Sequence, residues 1–196
     1  MAVHTFNVAE LEARPWKNGA GVTREIVCQP AGAGMETFDW RVSIAQIAGD
    51  GPFSRFEGVD RVITLLDGAG VCLTNADGRI EHRMDTPLVP FSFAGEASIN
   101  ARLIAGECHD FNVMTRRAAC RAEVKVLSAS ATLSGAACGL LLALRGTWLA
   151  CDADQTGQPL LPQQGLWWSA APIAWQLRSQ DPDAALLAVL IHPVTA

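Results

Sequence analysis

Apolar and polar residues alternate in short stretches along this chain, and Gly or Pro breaks the pattern every several residues. Period-two alternation over five to ten residues, bounded by turn formers, is the signature of β-strands rather than helices. FDWRVSIAQI (38–47) reads as a strand whose two faces are both largely apolar. RVITLLDGAGVCLTNADGRIEH (61–82) contains three short runs joined at Asp67-Gly68 and Asp77-Gly78, dipeptides that favour tight hairpin turns. LVPFSF (88–93), SINARLIAG (98–106) and FNVMTRR (111–117) follow, and GLLLALRGTWLAC (139–151) and ALLAVLIHP (185–193) read as buried strands. LEARPW (11–16) has room for no more than one helical turn. The pattern predicts an all-β fold, a sandwich or barrel.

An internal echo divides the chain. RVITLLDGAGVCL (61–73) and GLLLALRGTWLAC (139–151) share an order: apolar run, turn with Gly68 or Gly146, apolar run. Their offset is 78 residues, and LVPFS (88–92) and LWWSA (166–170) repeat it. The echo predicts two stacked barrel-like halves, residues 1–117 and 118–196. Ten of the thirteen arginines precede residue 118, whereas the second half is apolar and carries Trp148, Trp167, Trp168 and Trp175. Polar chemistry is therefore expected in the first half, with the second mainly structural.

Composition narrows the function. The chain has 196 residues, a net charge of −5 and 49% hydrophobic residues, enough for a core. An acidic chain is a poor general nucleic-acid binder, because that affinity comes from basic side chains neutralising phosphates. No apolar run has the length of a membrane-spanning helix, and MAVHTFNVAELEARPW lacks the apolar core of a secretory signal. A cytoplasmic protein with no membrane and no nucleic-acid partner is expected, and a homodimer is compatible with the sequence. The six cysteines form no CxxC pair and sit among apolar neighbours, as reduced core thiols do.

His4, His82, His109 and His192 form no HxH or HExxH spacing, so no metal and no cofactor are expected. A GxSxG elbow, a Walker phosphate loop and a GxGxxG turn are also missing. What stands out is arginine inside apolar strands. Arg41 shares a strand face with Ser43 and Ala45, opposite Trp40, Val42 and Ile44. Arg24 lies in GVTREIVC and Arg61 opens RVITLL beside Asp60. Burying an unpaired charge costs several kcal/mol. Each arginine is therefore either neutralised within the fold, by Glu25, Asp39 or Asp60, or held for an outside anion. Three arginines with Asn18 and Asn112 fit an anion pocket, since guanidinium grips carboxylate through two parallel hydrogen bonds. The loop DGPFSRFEGVDR (50–61), with Phe53 and Phe56, serves as a lid or as a plug.

WKNGAGVTREI, FDWRVSIAQIAGDGPFSRFEGVDRVITLLDGAGV and HDFNVMTRR, in this order over residues 16–117, resemble the HutD/Ves family of bacterial proteins. The resemblance implies a cupin-like double-stranded β-helix in two halves, a bicupin. It also implies an association with histidine utilisation as a modulating factor, or with the cold and stress response of the Ves branch. It implies a small anionic ligand such as N-formylglutamate or urocanate, and ligand-binding positions at Asn18, Thr23, Arg24, Trp40, Arg41, Ser43, Arg61, Asp110, Asn112 and Met114. Ala20 departs from the family's glycine-rich loop. The alternative is a metal-independent enzyme, an isomerase or hydrolase, with Glu25, His109 and Asp110 as candidate acids and bases. The catalytic residues of such an enzyme are not specified by the sequence.

Overall fold

The structure is a computed structural model and describes residues 2–154 and 156–194. Among them the chain forms nineteen strands and one 3-10 turn, Val8–Glu10, and no α-helix. None of the described elements is a helix long and apolar enough to cross a membrane. Two compact units result.

The first unit runs from Leu11 to Cys120. Its larger sheet contains β2 (Ala13–Pro15), β3 (Gly21–Gln29), β4 (Trp40–Ile47), β6 (Val59–Asp67), β9 (Pro90–Ala94) and β11 (Cys108–Arg116). The strand order is β2-β3-β4-β11-β6-β9. The smaller sheet has the order β5-β10-β7-β8, built from β5 (Gly51–Pro52), β7 (Val71–Asn75), β8 (Glu81–Met84) and β10 (Ile99–Leu103). Ile47, Ile63 and Leu65 from the larger sheet pack on Val71, Leu73, Ile99 and Ala101 from the smaller, forming the core. On the opposite face of the larger sheet Val42, Ile44, Phe111 and Val113 are buried as well. Burial on both faces explains why β4 reads as a nearly unbroken apolar run.

The second unit consists of the first ten residues and those from Arg121 onward. β1 (Ala2–Asn7) pairs antiparallel with β17 (Gln164–Ser169), which is why the N-terminus leaves the expected 1–117 half and joins the C-terminal unit. The five-stranded sheet is completed by β12 (Cys120–Leu127), β14 (Cys138–Arg145) and β19 (Ala185–Pro193), in the order β1-β17-β14-β19-β12. The other sheet is β13-β18-β15-β16, with β13 (Ala131–Ala136), β15 (Trp148–Cys151), β16 (Gly157–Leu160) and β18 (Ile173–Arg178). Trp148, Trp168 and Trp175 lie in its apolar core with Leu141, Leu166 and Leu186.

The two units repeat one strand order. β9-β6-β11-β4 in the first corresponds to β17-β14-β19-β12 in the second, and β5-β10-β7-β8 corresponds to β13-β18-β15-β16. The sheets remain separate, and no closed barrel forms among the described residues. One turn differs from expectation. Asp77-Gly78 does close the β7–β8 hairpin, but Asp67-Gly68 does not close a hairpin: β6 and β7 belong to different sheets. The segment is a corner, with Gly68 and Gly70 both at φ +86°. Gly146, at φ +70°, turns the equivalent corner between β14 and β15.

Candidate anion-binding site

The inner face of the six-stranded sheet carries a polar ladder within an apolar core. Register decides its members. Met114 on β11 lies between Arg41 on β4 and Arg61 on β6, and one step along Asn112 lies beside Ser43. Asp110 follows, between Ala45 and Leu65. Arg41 and Arg61 are each 8% exposed and Asp110 only 3%.

Two bulges shape this face. Ile26 is an extra residue on β3, so Glu25 pairs with Ser43 while Cys28 pairs with Arg41. The Glu25 carboxylate thereby accepts a 2.6 Å hydrogen bond from Nε of Arg41. Arg41 Nη1 donates to Ser43 Oγ at 3.3 Å and lies 3.9 Å from Met114 Sδ. Leu66 is the extra residue on β6, which sets Asp67 against His109. His109 Nδ1 and Asp67 Oδ1 are 2.7 Å apart, so His109 is engaged with Asp67 and not with Asp110.

Arg61 differs from Arg41. Its Nε and Nη2 donate to Asn112 Oδ1 at 3.4 and 3.2 Å, and Nη1 to the Ser54 carbonyl at 3.5 Å. The rings of Phe53, Phe56 and Phe93 stand 5.3, 5.9 and 5.0 Å from its guanidinium carbon. Among the described residues no carboxylate forms an ion pair with it. Aromatic faces attract a cation but do not replace a counter-ion. Burial lowers the Arg61 pKa to about 10, with Asp110 opposing and Arg41 reinforcing the shift. Burial likewise raises Asp110 to about 7, against the favourable fields of Arg61 and His109. Cys108, on the same strand face, is pushed up to about 11 by burial and by Asp110 and Asp67.

Not every expected position joins. Arg24 pairs with Ile44, and Trp40 with Thr115 and Gln29, so both project from the opposite face of the sheet. The expected convergence of three arginines is a convergence of two. Asn18 is exposed in the turn before β3, where its Oδ1 accepts from the Ala20 amide. Thr23 lies on the inner face, its Oγ1 accepting from Trp16 Nε1 at 2.8 Å. Arg41, Ser43, Arg61, Asp110, Asn112 and Met114 are brought together. Phe93 is an unforeseen member, placed by its pairing with Arg61.

The HutD family model matches residues 8–187. The chain belongs to the HutD family. It is 42% identical over 164 residues to Protein Ves of Cronobacter sakazakii, covering 83% of this chain and 85% of that one. The solved HutD of Pseudomonas fluorescens SBW25, described as in a formate condition, superposes with a TM-score of 0.85 at 29% identity, covering 99% of this chain and all of the other. A conserved protein of unknown function from Pseudomonas aeruginosa PAO1 gives 0.89 at 28%, over 98% of this chain and all of the other. A cupin 2 conserved barrel domain protein from Leptotrichia buccalis gives 0.62 at 9% identity, over 96% of each chain, a likeness of fold alone.

In this HutD-family chain the tail of HDFNVMTRR has structural work. Arg117 bonds to Asp60 and Glu96, and Arg116 donates to the carbonyls of Phe38 and Glu36. These contacts fasten the C-terminal end of β11 beside the ladder. Among the described residues no three His, Cys, Asp or Glu side chains gather as a metal site would require. An open groove in the second unit, lined by Thr5, Asn7, Glu10, Gln158 and Gln164, offers hydrogen bonds but no cation for an acid.

Proposed function

We propose that this HutD-family protein binds a small carboxylate at Arg61 and through it modulates histidine utilisation in the cytoplasm. The observation that carries the reading is a buried guanidinium held, among the described residues, by neutral groups: Asn112, a carbonyl and three rings. A buried cation without a counter-ion is costly, and an incoming carboxylate relieves that cost while gaining charge-assisted hydrogen bonds. Arg41, already paired with Glu25 through Nε, contributes positive field at Arg61. Asn112 holds the Arg61 guanidinium and Ser43 that of Arg41, Met114 lies between the two in register, and the rings of Phe53 and Phe56 stand against Arg61. N-formylglutamate and urocanate are the ligands to test first, and the repeated strand order supports reading the two units as a bicupin.

In a thermal-shift assay, millimolar N-formylglutamate or urocanate raises Tm, because a ligand bound only to the native state must stabilise it. Arg61→Lys retains charge but loses the planar fork, and abolishes the shift. No shift with either acid would count decisively against the reading.

A metal-independent isomerase or hydrolase is the second reading. It is favoured by Asp110, a buried carboxyl raised to about 7, where a general acid or base is most effective. Turnover of N-formylglutamate or urocanate by the wild type, lost in Asp110→Asn while binding persists, would establish it.

A further inference from the structure

Asp110 is the buried carboxyl whose field most directly opposes the loss of charge at Arg61, yet the two make no ion pair. Arg61 leans along its strand to Asn112, and Asp110 lies two residues further along the same face of β11. Two residues of strand separate side chains by ~7 Å. That is too far for a hydrogen bond and near enough for strong coupling in an apolar interior. The inward residues of the smaller sheet facing this region, Val71, Leu73, Ile99 and Ala101, are apolar and supply no screening charge. The titratable groups around Asp110 are Arg61, Arg41 with its partner Glu25, Cys108 on its own strand, and His109 with Asp67. Glu25 already answers Arg41 and Asp67 already answers His109, so Arg61 is the cation on which the Asp110 charge depends.

We propose that Asp110 couples binding at the Arg61 site to protonation, taking up one solvent proton as an acid's carboxylate settles against the guanidinium. The inference rests on the Arg61 reading above. The ligand's negative charge cancels the field that keeps Asp110 ionised, and leaves two carboxylates close together in an apolar setting. Like charges so placed do not both stay ionised. The proton adds to a carboxylate oxygen of Asp110 and no other bond changes. The site therefore admits an anion with a proton, and loses affinity in alkaline solution.

N-formylglutamate is the suitable probe, since it has no group titrating between pH 6 and 9, and formate serves as the minimal acid. Calorimetry at pH 8 in triethanolamine and in Tris, cationic buffers of different ionisation enthalpy, counts protons taken up. For the wild type the count approaches one, and Kd is about tenfold weaker at pH 8.5 than at pH 7. Asp110→Asn takes up no proton and binds equally at both pH values. In wild-type protein carrying carboxyl-labelled Asp, saturation with N-formylglutamate moves the Asp110 carbon-13 titration midpoint upward, a readout independent of the variant's folding. Binding with no proton uptake and an unmoved midpoint overturns this inference alone. Absence of binding of either acid overturns the Arg61 reading and this inference with it.

Discussion

At the scale of residues, strand parity separates what the sequence reveals from what it hides. The placement of Arg41 with Ser43 and Ala45, opposite Trp40, is legible because β4 has no irregularity against β11. Arg24 is different: whether it shares a face with Arg41 depends on the pairing of β3 with β4, and a bulge at Ile26 interrupts that register. No local residue preference announces the bulge, so Glu25 reads as an ion-pair partner or as a candidate acid or base until the fold brings it to Arg41. Asp110 carries a consequence for stability. Its native pKa, about 7, lies above the ordinary aspartate value of 3.8, so the native state holds a proton that the unfolded chain releases. The stabilising contribution is complete below about pH 4 and is lost as pH rises through about 7. Other carboxylates act in the opposite sense, so the comparison is between two proteins. Urea unfolding at pH 5 and pH 8 should show Asp110→Asn gaining stability relative to wild type at the higher pH. An equal difference at both pH values would mean that Asp110 is ionised throughout.

At the scale of elements, the corners are what a strand pattern leaves ambiguous. Asp67-Gly68 and Asp77-Gly78 look alike in sequence, and both supply the positive φ that turns require. Only long-range pairing decides that one closes a hairpin and the other passes the chain between sheets. The surroundings differ accordingly. Gly70 stands at φ +86°, where an added methyl would collide with the Met84 carbonyl oxygen, whereas nothing lies near Gly78, at φ +71°. Gly70→Ala should therefore cost more than about 2 kcal/mol, since strain and a backbone clash act together. Gly78→Ala should cost about 1 kcal/mol, from the left-handed backbone alone. Denaturant midpoints of the two variants check this, and similar losses at both would mean that the corner relaxes freely.

At the scale of the whole molecule, the 78-residue echo was legible because equivalent strands bury similar apolar runs, and the matching strand orders give it a physical basis. The boundary was not, since AVHTFN carries no mark of a partner more than 150 residues away at Gln164–Ser169. Each unit has its own interior, built on Leu141, Leu166, Leu186 and Leu190 in one and on Ile63, Leu65, Val71 and Leu73 in the other. Interior strands paired on both sides open only with extensive unfolding, whereas edge strands open locally. Native-state hydrogen exchange should thus show two separate maxima of protection, at β14 with β19 and at β4 with β11, while β2, β8 and β16 at the sheet edges exchange early. N-formylglutamate should add protection around β6 and β11 first, because Arg61, Asn112 and Asp110 lie there, and leave β14 and β19 unchanged at subsaturating ligand. Slowing confined to β1, β16 and β17, which border the open groove of the second unit, would instead place the acid there and remove Arg61 from its recognition.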